Sequence, residues 1–100
     1  MKMYVLVKKS APKGLGINSI GHAVLNCYLD FQDHPDTQEW LKNSFRKVTC
    51  LVTDKEFEEA KQTEGCSITT ESDWDNQEIA LAFRPRAEWP EMFRKIELYR

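Results

Sequence analysis

Two groups of side chains in this sequence carry the chemistry available to it. Lys8, Lys9 and Lys13 stand close together in a segment, Ser10-Ala11-Pro12-Lys13-Gly14-Leu15-Gly16, that also holds two glycines. Lysine holds phosphate or carboxylate as a compact point charge, and glycine lets backbone amides come close to such an anion. Further along, Ser19, His22 and Asn26 are spaced three and four apart, so on a helix they form one polar stripe. Imidazole accepts and returns a proton near neutral pH, which makes His22 the candidate general base. Ser19 and Asn26 beside it are candidate substrate contacts, and Lys8, Lys9 and Lys13 candidate anion contacts. The acidic segment Glu71-Ser72-Asp73-Trp74-Asp75 offers Glu71 or Asp73 to orient the imidazole, but lacks the spacing and glycine of a calcium loop.

Other titratable residues have plainer readings. His34 falls inside Asp33-His34-Pro35-Asp36-Thr37-Gln38-Glu39, a helix-start signature that accounts for it. Cys27, Cys50 and Cys66 are an odd number without CxxC spacing, each in or beside an apolar segment, and read as buried reduced thiols. Two histidines and three scattered cysteines have no zinc spacing, so no metal or cofactor is expected. Trp40, Trp74 and Trp89 are too dispersed for a base-stacking platform.

The elements that position these groups follow from periodicity. Met3-Tyr4-Val5-Leu6-Val7 is continuously apolar and reads as a strand buried on both faces. After the Gly/Lys loop, Ile17, Ile20, Val24, Tyr28 and Phe31 recur at spacings of three and four, which predicts an amphipathic helix packed on the sheet through that stripe. A second helix runs through Trp40 and Leu41. Val48–Val52 is a strand, and Thr53-Asp54-Lys55-Glu56 is a capping box that opens a helix to about Gln62. Cys66–Thr70 and Ile79–Phe83 are further strands, Trp89–Phe93 a short helix, and Ile96 with Leu98 a terminal extended piece. The alternation predicts an α/β three-layer sandwich, with helices flanking a mixed, mostly parallel sheet of about four strands. A ferredoxin-like plait is the alternative. In such sheets ligands collect where strands end and helices begin, here at Lys8–Gly16 and the helix after it.

At 100 residues, with 41% apolar and 30% charged side chains, the chain suits a single domain over residues 1–100 and neither disorder nor a fibrous repeat. No apolar run approaches the roughly 20 residues that span a bilayer, and the N-terminal apolar stretch is too short for a signal peptide, so a cytoplasmic location is expected without membrane contact. The net charge of −2 hides a strong segregation. Residues 1–29 contain four lysines and no acid, residues 30–79 carry 13 acids against 5 bases, and the last 21 residues return to +2. One basic N-terminal face on an acidic protein can approach a polyanion. An edge strand and exposed tryptophans in need of cover make a homodimer an expectation as well.

The strand MYVLVKK, the Gly/Lys loop and a helix opening with GINSIGHA resemble the type II peptidyl-tRNA hydrolases. HPDTQEWL, RKVTCLVTDKEFEEA, IALAFRP and KIELYR resemble a divergent branch carrying such a domain, and the resemblance covers almost the whole chain. It implies the fold of that family and cleavage of the ester between a peptide and the 3′ ribose of tRNA. It implies His22 as the helix histidine, Lys13 as the first loop lysine and Lys8 as the base closing the first strand. Leu15 stands where that family has its second loop lysine, Ser10 where it has an aspartate, Ser19 where it usually has glutamine, and Thr70–Trp74 replaces its Asp-Ala-Gly-Arg-Thr segment. The resemblance therefore leaves two expectations: an ester hydrolase, or an inactive module of the same fold that binds tRNA, another nucleotide or a protein.

Overall fold

A computed structural model describes all of residues 1–100. The chain runs β1 (Lys2–Lys8), α1 (Lys13–Phe31), α2 (Pro35–Asn43), β2 (Arg46–Val52), α3 (Asp54–Ala60), β3 (Cys66–Glu71), a 3-10 turn (Ser72–Trp74), β4 (Gln77–Phe83), α4 (Met92–Lys95) and β5 (Glu97–Leu98). The five strands form one sheet in the order β3-β4-β1-β2-β5. No helix is long and apolar enough to cross a membrane.

The apolar run of β1 is central, and alternation sends its side chains into two cores. Met3, Val5 and Val7 meet Ala23 and Cys27 of α1 and Trp40 of α2 on one face. Tyr4 and Leu6 meet Phe57 and Ala60 of α3 and Phe93 of α4 on the other. Helices thus cover both faces, as the three-layer reading expects; a plait with its helices on one face does not fit. On the second face Tyr4, Phe83, Trp89 and Phe93 form an edge-to-face cluster, with Tyr4 and Trp89 rings 4.7 Å apart, which ties down the irregular segment after β4. The capping box of α3 forms as expected: Glu56 N–H donates to Thr53 Oγ1 at 3.1 Å, and Thr53 N–H donates to Glu56 Oε1 at 2.8 Å.

Two expectations about the sheet need correction. It has five strands, because Glu97 and Leu98 pair with Leu51 and Cys50, an element too short to show periodicity. It is also not mostly parallel: only β1 and β2 run parallel, while β1–β4, β3–β4 and β2–β5 are antiparallel. The brief link between β3 and β4 admits only a hairpin, whereas β1 and β2 are joined by the α1–α2 crossover that parallel pairing requires. The continuous apolarity of β4 reflects helices on both faces, not parallel neighbours. Thr69 stands opposite Ala80 and Thr70 opposite Glu78, leaving Ile79 as the extra residue of a bulge that turns both Ile79 and Ala80 toward α1.

The expected sheet-facing stripe of α1 holds only in part. The buried positions are Gly16, Ser19, Ala23 and Cys27, whereas Ile20, Val24 and Phe31 pack against this core half-buried from the flank, Tyr28 lies at the flank and Ile17 is half-exposed. Val7, Ile79 and the indole of Trp40 already fill the space above the strands, so the helix seats only through small side chains. A Cβ on Gly16 would come within 3.2 Å of Val7 Cγ1. The helix also begins at Lys13, earlier than Ile17, so Lys13, Gly14 and Gly16 belong to its first turn and the connecting loop is only Lys9–Pro12.

Cys27 and Cys50 are buried in these cores and Cys66 is partly buried, all as free thiols. Burial, aided by the negative charge of Asp30, pushes the Cys27 thiol up to about 12. Burial likewise raises Cys50 and Cys66 to about 11 each. None supplies a thiolate nucleophile at neutral pH.

Two outcomes test this packing. Gly65 has φ +78°, and an added Cβ would run into Arg86 Nη2 and Arg84 Cβ, where those guanidiniums bind the carbonyl and carboxylate of Glu64. Gly65→Ala should lower the unfolding free energy by about 2 kcal/mol in urea titration. Native Cys27 keeps its proton up to about 12, while the unfolded thiol releases it near 9, so unfolding frees a proton across that window and stability falls as pH rises. Relative to Cys27→Ala, the wild type should lose up to about 1.4 kcal/mol per pH unit above pH 9. Parallel pH profiles for the two proteins would contradict this burial.

Candidate functional site

At the C-terminal ends of β1 and β2 a small cleft of about 190 Å³ opens between the loop after β1, the first turn of α1 and the C-terminal residues. That volume is below the range of drug-sized ligand pockets and suits a single phosphate or carboxylate group. The parallel register places Lys8 opposite Val52, and Lys9 N–H donates to Val52 O at 2.8 Å, so the pairing delivers both lysines to this point. Lys13 enters from α1, and Tyr99 and Arg100 from the chain end, held by Tyr99 N–H donating to Thr49 O at 2.9 Å.

The cations here are not equivalent. Lys8 Nζ lies 4.6 Å from the ring centroid of Phe57 and 5.8 Å from that of Trp74, a cation–π seat that holds it without neutralising it. Lys9 Nζ is 3.0 Å from Glu97 Oε1, so the third lysine is committed to an ion pair and is a weaker anion contact than the sequence implies. Lys8, Lys13 and Arg100 form no ion pair with a carboxylate. Pro12 precedes α1 without any side-chain cap, and the helical ladder starts with Gly16 N–H donating to Pro12 O. The amides before it and the positive end of the helix dipole therefore face the same cleft. Arg100 and Tyr99 escape a sequence reading, since their place depends on the β5 pairing; the only signal is the return of positive charge near the end of the chain.

The polar stripe of α1 behaves differently from the expectation. Ser19 is fully buried and its Oγ donates to Gly16 O at 2.6 Å, which removes it from substrate contact. Asn26 Nδ2 donates to Thr69 Oγ1 at 3.1 Å, and Ser67 Oγ donates to Asp30 Oδ2 at 2.8 Å, so Asn26 ties the helix to β3 and is not free for a ligand. His22 is exposed and makes no hydrogen bond to Glu71 or Asp73. The Glu71 carboxylate instead accepts from Asp73 N–H at 3.0 Å and caps the 3-10 turn, while Asp73 is exposed. His34 is structural: its Nδ1 accepts from Asp36 N–H at 3.0 Å as the cap of α2. Chemically, the assembly offers a preformed seat for one anionic group and, apart from it on α1, an exposed imidazole joined to neither Glu71 nor Asp73.

No protein-family model matches this chain, and no curated protein matches it significantly.

Proposed function

We propose that this domain binds the phosphates of a tRNA at the strand-end cleft, as a divergent module related to the type II peptidyl-tRNA hydrolases. The observation that carries this reading is the convergence of Lys8, Lys13 and Arg100, none paired with an acid, on the uncapped N-terminus of α1. The segregation of positive charge into the first 29 residues supplies the surrounding field. The residues that depart from the family pattern fit a grip without the usual chemistry: Leu15 packs against the α1 core, and Ser10 Oγ donates to Asp54 Oδ1 at 2.8 Å.

Ester hydrolysis is the second reading, favoured by His22, an exposed imidazole on α1 that no other side chain engages. There His22 takes a proton from the water that attacks the ester carbonyl and returns it to the ribose 3′ oxygen as the acyl–oxygen bond breaks.

A phosphate seated in the cleft makes log K fall as log salt rises, by about 1 for each phosphate neutralised. Lys13→Ala and Arg100→Ala should each weaken tRNA binding and flatten that slope, read by tRNA titration over a KCl series. Binding indifferent to salt, or variants with unchanged slopes, would reject the cleft as the phosphate seat. Purified protein incubated with N-acetyl-aminoacyl-tRNA decides the second reading: release of the acylated amino acid should vanish in His22→Ala, and equal release by that variant removes His22 from the chemistry.

A further inference from the structure

The apolar residues that α1 does not bury against the sheet form, with α2 and the residues after it, an open groove of about 550 Å³. Ile20, Val24 and Tyr28 make one wall, and Trp40, Leu41 and Phe45 the other. Leu25, Leu41 and Phe45 are exposed, an unusual density of large apolar side chains on one face of a small domain. The apolar line continues along α1 beyond the groove, from Ile17 through Gly21 and Leu25 to Leu29, a length of about 18 Å at 1.5 Å per residue.

Two residues at this groove are poor choices for the chain by itself. Gly21 sits in mid-helix, where it weakens α1, although a Cβ there would meet nothing within 4 Å. Phe45 follows the end of α2 with φ 58°, the left-handed position that glycine normally takes, and its N–H donates to Trp40 O at 2.7 Å. A glycine in the lining permits close approach by another backbone, and Phe45 holds an aromatic wall in place at the cost of a strained residue. The Phe45 ring packs on Trp40 with centroids 5.0 Å apart, whereas nothing inside the chain fills the space beside Gly21.

The groove is lined by a single charge, a cation. Lys47, its only charged lining residue, has Nζ 3.5 Å from the Phe45 ring centroid and donates to Phe45 O, with no carboxylate partner. Residues 13–29 and 40–53, which supply every lining residue, contain no Asp or Glu; Lys42 and Arg46 add positive charge nearby, and Glu39 one negative charge beside Trp40. A second copy docked groove to groove would set lysine against lysine. The concavity, the exposed glycine and the length of the apolar line fit a rod about the width of a helix better than a flat surface.

From these features we infer that the groove between α1 and α2 docks an acidic amphipathic helix of a partner protein, about three turns long, with its apolar face on Ile20, Val24 and Phe45 and a carboxylate against Lys47. This site is separate from the strand-end cleft and does not rest on tRNA binding.

The probe is a fluorescein-labelled helical peptide with leucines spaced three and four apart and glutamates elsewhere, titrated by anisotropy with the full chain. A matched peptide with lysines for the glutamates serves as control. The acidic peptide should bind and the lysine peptide should not. Gly21→Leu should abolish binding by filling the groove while its melting temperature stays equal or rises, and Lys47→Glu should weaken binding about tenfold or more. Absence of binding by the acidic peptide, or equal binding by Gly21→Leu, overturns the proposal. So does sedimentation velocity showing a dimer that either variant dissolves, or flotation with phosphatidylserine vesicles that both variants abolish, since those outcomes assign the groove to a second copy or to a membrane.

Discussion

The close seating of α1 on the sheet through Gly16, Ser19, Ala23 and Cys27 is the constraint from which the other features follow. The strands and Trp40 fill the interlayer space with large side chains, so only a small-faced helix fits. Had Ile20, Val24 and Tyr28 faced inward, the helix would have to stand farther from the sheet and the Asn26–Thr69 and Asp30–Ser67 bonds could not form. Those bonds set the rotation and register of α1, and thereby bring its uncapped N-terminus to the ends of β1 and β2.

The same seating has a consequence on the outer side. A helix has one circumference, and turning its small residues inward turns its large apolar residues outward. Ile17, Leu25 and Leu29 are exposed for that reason, and the groove against α2 is the complement of the α1–sheet contact. One packing decision thus produces both a polar cleft at the helix end and an apolar groove along its flank, two surfaces with different chemistry on one element.

Electrostatics follows the fold at short range. Lys9 is drawn off by Glu97 only because β5 pairs with β2, and the same pairing carries Arg100 into the cleft. The terminal strand exchanges one cation of the cleft for another. Arg84, nearly buried, links β4 to the start of α2 through Asp36 at 3.1 Å, so part of the acidic middle segment serves internal pairing.

Local elements were legible in the residues themselves. The apolar run of β1, the capping box at Thr53, the helix start at Pro35 and the charge segregation are all properties of residues close together in the chain, which spacing encodes. The buried thiols and the position of His22 on a helix beside a cationic loop were legible for the same reason. Which way the α1 stripe faced, the antiparallel pairing of β4, the structural roles of Ser19 and Asn26, and the arrival of Arg100 were decided only in three dimensions. Periodicity shows that a helix has an apolar side and a small side, but not which of them matches the volume left above a sheet. That choice depends on side chains far away in sequence, such as Val7, Trp40 and Ile79, and close packing settles it only when they are brought together.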